Sequence, residues 1–296
     1  MMEQSSFTGT GVALVTPFKR DGSVDLKALC NVVEHVIKNK VDYLVALGTT
    51  GETPALTESE KKTIVNQVKA FAGGRVPVVV GMGGNNTEDL IGKIKSADFE
   101  GIAAILTVTP YYNKPSQKGL YEHYMGVAEA SPVPVIIYNV PSRTGCNISA
   151  ETTLQLAGDS DRFTGIKEAS GDMIQVMKIA RGKPKNFQLI SGDDALTLPM
   201  MAAGGAGVIS VIGNAFPRQF SEMVRMALAN RWEEARRIHF SLLEIIENLF
   251  IDGNPAGVKA ALNILNICEN QVRLPLTTVS RTTYARLTDL IKSIPI

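Results

Sequence analysis

A lysine stands near the end of an apolar run that begins at Phe163 and continues through Gly165-Ile166-Lys167. Burial among strand residues disfavours a charged ammonium, so a free amine becomes available near neutral pH. A free amine can attack a ketone and form an imine. The alternative is that Lys167 pairs with Glu168 or reaches solvent. Because adjacent strand residues point to opposite faces, Glu168 is poorly placed for that pairing, and we predict that Lys167 is a nucleophile.

Polar residues also follow other apolar runs, at the points where those runs end. Gly48-Thr49-Thr50-Gly51-Glu52 follows one run, Tyr138 to Gly145 a second, and Ser191-Gly192-Asp193-Asp194 a third. The turn at 48–51 is either a plain strand-to-helix connection or a cradle of N–H groups and hydroxyls for a carboxylate. It lacks the lysine of a P-loop, so a nucleotide site is not indicated.

Tyrosine and arginine side chains near these ends could assist an imine-forming lysine. Tyr138 and Lys167 are expected at matching heights on neighbouring strands, about 4.8 Å apart, where they could exchange protons. Arg143 has a planar guanidinium that suits a carboxylate. Taken alone, Tyr138 could be a rim residue and Arg143 could cover a loop. Of Tyr111 and Tyr112, we expect one to pack in the core.

The elements that must position these residues follow from the pattern of apolar runs. We predict eight strands, over residues 12–18, 43–48, 76–81, 102–108, 133–138, 163–167, 187–191 and 207–212. They recur at intervals of about thirty residues, the size of a βαβ unit. Continuous Val, Ile and Leu runs indicate strands covered on both faces, hence a parallel sheet. The pattern predicts an α/β fold, a (β/α)₈ TIM barrel over residues 1–229, rather than an open sheet, with a C-terminal helical appendage over residues 230–296.

The composition limits the kinds of binding partner that we expect. The 296 residues carry 30 Lys+Arg and 29 Asp+Glu without blocks of like charge, which leaves a net charge of +1. A balanced charge predicts no basic surface for nucleic acid or an anionic membrane. The expected partner is therefore a small molecule or another copy of the protein. The cysteines and histidines lack the spacing of disulfide frameworks or metal sites, and we expect no metal. Neither a signal peptide nor a membrane span is indicated, so we expect a cytoplasmic protein.

Taken together, these motifs resemble the dihydrodipicolinate synthase family of the pyruvate-dependent class I aldolases. The resemblance rests on the segments 48–52, 138–145, 165–170 and 191–194, and it covers essentially the whole chain, including Asn254-Pro255 and Val258-Lys259 in the helical tail. The lysine and Gly-x-x-Gly-Glu motifs are shared across the superfamily. Ser-Arg-Thr-Gly at 142–145 is more specific to the synthases.

The resemblance implies a lyase that condenses pyruvate with L-aspartate 4-semialdehyde to give 4-hydroxy-tetrahydrodipicolinate, the first committed step of diaminopimelate and lysine biosynthesis. It implies that Lys167 forms a Schiff base with pyruvate and that no cofactor is needed. It further implies a homotetramer, built as a dimer of dimers. A relay of Tyr138, Thr50 and Tyr112 is implied to move protons, with Tyr112 entering a neighbouring subunit's site.

The resemblance also implies binding roles. Thr49 and Thr50 would bind the carboxylate of pyruvate, and Arg143 that of the semialdehyde. Gly192 and Ile209 match residues that line the pyruvate pocket.

An effector pocket is implied as well, formed by Asn85, Asp89 and Tyr111. Lysine-inhibited enterobacterial members carry two histidines nearby, where this chain has Glu58 and Lys61. Because Lys61 would repel the ammonium of a bound lysine unless Glu58 offsets it, we expect weak or absent inhibition.

Two other functions stay open at this stage. One is a related 2-keto acid aldolase, similar to sialic-acid lyase or 2-keto-3-deoxygluconate aldolase; Arg143 argues against it, because a guanidinium suits a short second carboxylate better than a polyol. The other is a non-catalytic barrel that only binds keto acids or regulates a partner. That protein would form no imine with pyruvate.

Overall fold

The computed structural model describes residues 7–294, and in that range eight parallel strands close into a barrel. Neighbours in sequence are neighbours in the sheet, and the last strand pairs with the first. The strands are β1 Gly9–Ala13, β2 Tyr43–Ala46, β3 Val78–Gly81, β4 Ala104–Val108, β5 Val135–Asn139, β6 Phe163–Glu168, β7 Gln188–Ser191 and β8 Gly207–Ser210. The predicted (β/α)₈ barrel is confirmed.

Helices follow each strand in turn. They are α1 Leu26–Lys38, α2 Glu58–Ala72, α3 Thr87–Ser96, α4 Gln117–Ala130, α5 Pro141–Thr144, α6 Ala150–Asp159, α7 Met173–Gly182, α8 Thr197–Ala202 and α9 Pro217–Leu228. The C-terminal helices are α10 Trp232–Phe250, α11 Ala256–Ile264 and α12 Arg281–Ser293. The predicted C-terminal helices are therefore present, whereas the division into two domains at residues 229 and 230 stays a prediction. Among residues 7–294, no helix is long and apolar enough to cross a membrane.

The first strand lies earlier than its apolar residues suggest. It was predicted over residues 12–18 but covers Gly9–Ala13. A Cβ at Gly11 would lie 2.2 Å from the ring of Tyr43, so glycine at that position makes room for an aromatic side chain. After Ala13 the chain leaves the regular ladder, and Val15 N–H donates to Asn214 Oδ1 at 3.1 Å instead.

The sequence pattern did not predict helix α6, because part of its buried face is not apolar. Its buried face includes Thr152 and Thr153 beside Ala150 and Leu156, so the apolar period that marks a helix is hidden. The helix begins after Ser149, whose hydroxyl accepts a hydrogen bond from the N–H of Thr152.

The interior of the barrel is filled rather than open. Side chains from successive strands form one buried cluster, which includes Ala13, Tyr43, Val45, Val79, Ala104, Leu106, Ile136, Tyr138, Ile190 and Ile209. Because this packing blocks the centre, a site on the barrel has to lie at a rim, and polar residues gather at the carboxyl ends of the strands.

Candidate active site

Lys167 lies at the carboxyl end of β6 and is 4% exposed. It is in register with Tyr138 of β5. Its Nζ lies 4.2 Å from the centroid of the Tyr138 ring. The two residues that the sequence placed at matching heights are therefore in contact, with the amine over the aromatic face.

Glu168 lies on the other face of the same strand. Its Oε2 accepts hydrogen bonds from Asn139 Nδ2 at 2.9 Å and Gln175 Nε2 at 3.0 Å, and its Oε1 accepts one from Ser170 N–H at 2.6 Å. These donors lie between the strands and α7, outside the barrel. The carboxylate is thus occupied by neutral donors, and the alternative pairing of Glu168 with Lys167 is wrong.

Gly192 packs directly against the side chain of Lys167. A Cβ at Gly192 would lie 3.0 Å from Lys167 Cε and 2.7 Å from Ala169 Cβ, which is closer than such contacts normally occur. The N–H of Gly192 donates to the carbonyl of Glu168 at 2.8 Å. A side chain here would therefore displace the lysine or its strand, because the backbone hydrogen bond prevents Gly192 from retreating.

Thr49 and Thr50 lie in one turn of 3₁₀ helix that directly follows β2. The turn is held by the hydroxyl of Thr16, which donates to the carbonyl of Gly51 at 2.7 Å. Thr49 is half-buried and Thr50 is buried. The Thr50 Oγ1 accepts a hydrogen bond from Asn254 Nδ2 at 3.0 Å. Sequence reasoning named Asn254 only as part of the similar helical tail and missed this contact.

The glutamate of the Gly-x-x-Gly-Glu motif pairs with a lysine of the C-terminal region. Glu52 has a left-handed backbone with φ of 54°, and its buried carboxylate pairs with the buried Lys259 of α11. The carboxylate also accepts the N–H of Arg273 at 2.8 Å, and Lys259 Nζ donates to the carbonyl of Gln271 at 2.7 Å. Burial lowers the pKa of the Lys259 ammonium, while the charge of Glu52 opposes that change. This pair ties the 49–52 turn to the C-terminal helices.

A third buried carboxylate organises the end of β8. Asp194 Oδ2 accepts the N–H groups of Val211 at 3.0 Å and Ile212 at 2.8 Å. Burial raises the pKa of the Asp194 carboxyl to about 6, although these N–H groups oppose the rise. The contact fixes the chain just after Ile209, a buried residue of β8.

The remaining predicted site residues lie at the rim. Arg143 is exposed in the short helix α5. Tyr112 is 86% exposed and has a left-handed backbone with φ of 76°. Tyr111 is 43% exposed, so the expectation that one of the two tyrosines packs in the core is wrong. The segment that follows β4 turns outward after Pro110, and the apolar character of tyrosine did not reveal that turn.

A cavity of about 420 Å³ lies between α2 and α3, and its lining includes Glu58, Lys61 and Lys93 but none of the three predicted effector residues. Asn85 Nδ2 donates to the carbonyl of Tyr111 at 3.4 Å. Asp89 pairs with Lys93 at 2.7 Å, and this hydrogen bond raises the pKa of Lys93. At the cavity, Lys61 pairs with Glu58 at 2.8 Å. Both acidic groups already have cationic partners within the chain, but weak lysine inhibition stays a prediction.

Metal ligands are not clustered in this region. Across residues 7–294, no group of three or more His, Cys, Asp or Glu side chains is arranged to hold a metal ion.

The chain is similar in sequence and fold to proteins of one known family. The model of the dihydrodipicolinate synthetase family matches residues 6–294. A 4-hydroxy-tetrahydrodipicolinate synthase of Parabacteroides distasonis is 51% identical and covers 100% of this chain and 99% of its own. The crystal structure of dihydrodipicolinate synthase from Aquifex aeolicus is 42% identical, with a TM-score of 0.93 and 97% of each chain covered. A dihydrodipicolinate synthase variant described as the first monomeric one is 39% identical, with a TM-score of 0.94 over 97% of this chain and 96% of its own.

Proposed function

Because the chain belongs to the dihydrodipicolinate synthetase family, we propose that it condenses pyruvate with L-aspartate 4-semialdehyde to give 4-hydroxy-tetrahydrodipicolinate. This is a lyase reaction of the class I aldolase type, and it belongs to lysine biosynthesis. The observation that carries the proposal is the buried amine of Lys167, in contact with Tyr138 and on a side chain that packs against Gly192. The proposal includes the cytoplasmic location expected from the sequence.

The chemistry begins at the amine of Lys167. Its nitrogen attacks the carbonyl carbon of pyruvate, and loss of water gives an imine. The imine withdraws electrons from the methyl group, so that loss of one methyl proton gives an enamine. The enamine carbon attacks the aldehyde carbon of the semialdehyde, whose oxygen takes up a proton. The amine of the new adduct then displaces Lys167 and closes the ring, which releases the free enzyme.

Proton movement in these steps is assigned to Tyr138, Thr50 and Tyr112. Tyr138 is supported by its contact with Lys167, because the group that protonates the departing hydroxyl has to lie near the carbon to which the Lys167 nitrogen has added. Thr50 is supported by its burial at the end of β2. For the pyruvate carboxylate we propose the turn at Thr49 and Thr50, with Gly192 and Ile209 lining the pocket.

One experiment tests the reaction class. The protein is incubated with pyruvate and then with borohydride, which reduces an imine to a stable amine, and its mass is measured before and after digestion. A covalent adduct on the peptide that contains Lys167 is expected. A non-catalytic barrel would keep its original mass. A second assay separates the synthase from a related aldolase. The synthase should consume the semialdehyde and should not cleave sialic acid or 2-keto-3-deoxy sugar acids.

Arg143→Ala should mainly weaken binding of the second substrate. The lost contact is a charge-assisted hydrogen bond to a carboxylate, so KM for the semialdehyde is expected to rise about 10- to 100-fold. KM for pyruvate should change little. Steady-state kinetics with each substrate varied in turn measure both constants, and Arg143→Lys serves as the control that keeps the charge without the planar fork. A rise confined to KM for pyruvate would count against the assignment.

For assembly we propose a homotetramer made of two dimers, with Tyr112 acting in the neighbouring subunit's site. The support is the high exposure of Tyr112 at the rim of its own barrel. Subunits carrying Lys167→Met and subunits carrying Tyr112→Phe, each of low activity alone, should regain activity when they are mixed and allowed to exchange. In the mixed dimer, one site combines an intact Lys167 with the partner subunit's Tyr112. If mixing restores no activity while mass measurements show that mixed dimers form, Tyr112 does not act across the interface.

A further inference from the structure

Asn254 lies in the connection between α10 and α11 and is 8% exposed. Its Nδ2 donates to Thr50 Oγ1, a hydroxyl 204 residues away in sequence, at 3.0 Å. Its Oδ1 is buried and has no hydrogen-bond partner among residues 7–294. The amide is thus a side chain of the C-terminal region whose one specific contact is a hydroxyl of the candidate site.

A hydroxyl group has one proton to donate and lone pairs that accept, whereas an amide nitrogen can only donate. When Asn254 Nδ2 occupies a lone pair of Thr50 Oγ1, the Thr50 proton cannot point at Asn254. The proton must therefore point away from Asn254. Without this contact the hydroxyl could rotate freely, and its proton would have no fixed direction.

The connection that carries Asn254 is itself held firmly. A Cβ at Gly257 would lie 2.0 Å from the carbonyl oxygen of Leu249, so the start of α11 packs directly on the end of α10. Lys259, on the next turn of α11, pairs with Glu52 only two residues from Thr50. The segments that carry Asn254 and Thr50 are therefore joined twice, by the Asn254–Thr50 hydrogen bond and by the Lys259–Glu52 ion pair.

We propose that Asn254 is a positioning residue that sets the direction of the Thr50 hydroxyl proton in the relay. The inference rests on the proposed function, because the relay role of Thr50 belongs to it. The C-terminal region then contributes to the proton-transfer steps without touching pyruvate, so removal of the amide donor should slow turnover, while the pyruvate imine still forms to the same final extent.

Asn254→Asp tests the direction of the hydrogen bond, because it keeps the shape of the side chain and replaces its donor by an acceptor. The Thr50 hydroxyl is then expected to donate to the introduced carboxylate, so that its proton points toward residue 254 instead of away from it. We expect kcat to fall about 10- to 100-fold, since a positioned proton transfer contributes about 10²- to 10⁴-fold to such reactions. Borohydride trapping of the pyruvate adduct, followed until it no longer increases, should reach the same extent as in the unsubstituted protein.

Asn254→Ala is the matched variant, since it removes the donor without adding an acceptor and leaves the hydroxyl free to rotate. Its kcat should fall less than that of Asn254→Asp, and the thermal midpoint of each variant is measured beside kcat, because a buried carboxylate and a cavity both lower stability. At lower pH, protonation of the introduced carboxyl restores a donor, so kcat of Asn254→Asp relative to the unsubstituted protein should rise. A purely structural role predicts instead that kcat of each variant follows its thermal midpoint at every pH, and that the loss caused by Asn254→Ala is the same in the Thr50→Val background.

If Asn254→Asp does not fold, a double-mutant cycle of Asn254→Ala and Thr50→Val decides. In the Thr50→Val background there is no proton to direct, so Asn254→Ala should cause no further loss of kcat. Additive losses in the cycle, or an Asn254→Asp variant with unchanged kcat, would overturn the inference. Those outcomes differ from failure of the proposed function, in which the unsubstituted protein itself forms no pyruvate adduct or does not consume the semialdehyde.

Discussion

Lys167→Met is expected to form no borohydride-stable adduct with pyruvate and to lose about 10⁴-fold or more in kcat. Methionine keeps most of the aliphatic stem that packs beside Gly192 and removes the amine, so the loss reports on chemistry rather than packing. Because the substitution also removes a buried polar group, the thermal midpoint should not fall. Mass spectrometry after borohydride treatment, with a coupled condensation assay, measures both effects.

The chain contains a suitable control for that result. Lys178 of α7 is more than half exposed and lies 3.6 Å from Glu151. It is charged and hydrated, and so Lys178→Met should leave both the adduct and kcat unchanged. If Lys167→Met kept the adduct, or Lys178→Met lost it, the nucleophile would have to be another residue.

Lys259→Met is expected to have the largest effect on stability. It leaves the carboxylate of Glu52 buried without its cation, and breaking a buried pair from one side costs about 3–5 kcal/mol. The double variant Glu52→Gln with Lys259→Met should recover part of the loss, because no uncompensated charge remains. Chemical denaturation followed by circular dichroism compares the unfolding midpoints of the single variant, the double variant and the unsubstituted protein.

An exposed ion pair provides the contrast. Lys118 and Glu122 lie on the surface of α4, 3.8 Å apart, and Lys118→Met should change the midpoint little because exposed pairs contribute about 0–1 kcal/mol. If the double variant were as unstable as Lys259→Met, the loss would come from packing around Phe18, whose ring centroid lies 4.2 Å from Lys259 Nζ, rather than from the unpaired charge.

The sequence alone determined the architecture and pointed to the candidate nucleophile. Runs of Val, Ile and Leu alternating with helical patterns predicted the closed barrel, because period and burial are local properties that each segment displays by itself. The same local pattern identified Lys167 and Tyr138, since strand order and matching height are enough to place them side by side. Where burial was achieved by threonine or glycine, as in α6 and β1, the local pattern missed the element or misplaced its bounds.

The tertiary structure decided which partner each polar group has. The contacts of Thr50 with Asn254 and of Glu52 with Lys259 join residues more than two hundred positions apart, and Asp194 holds the N–H groups of another strand's end. A buried carboxylate or amide has to find hydrogen-bond partners, but nothing in its own segment specifies them. They become neighbours only when the barrel closes and the C-terminal helices pack against it.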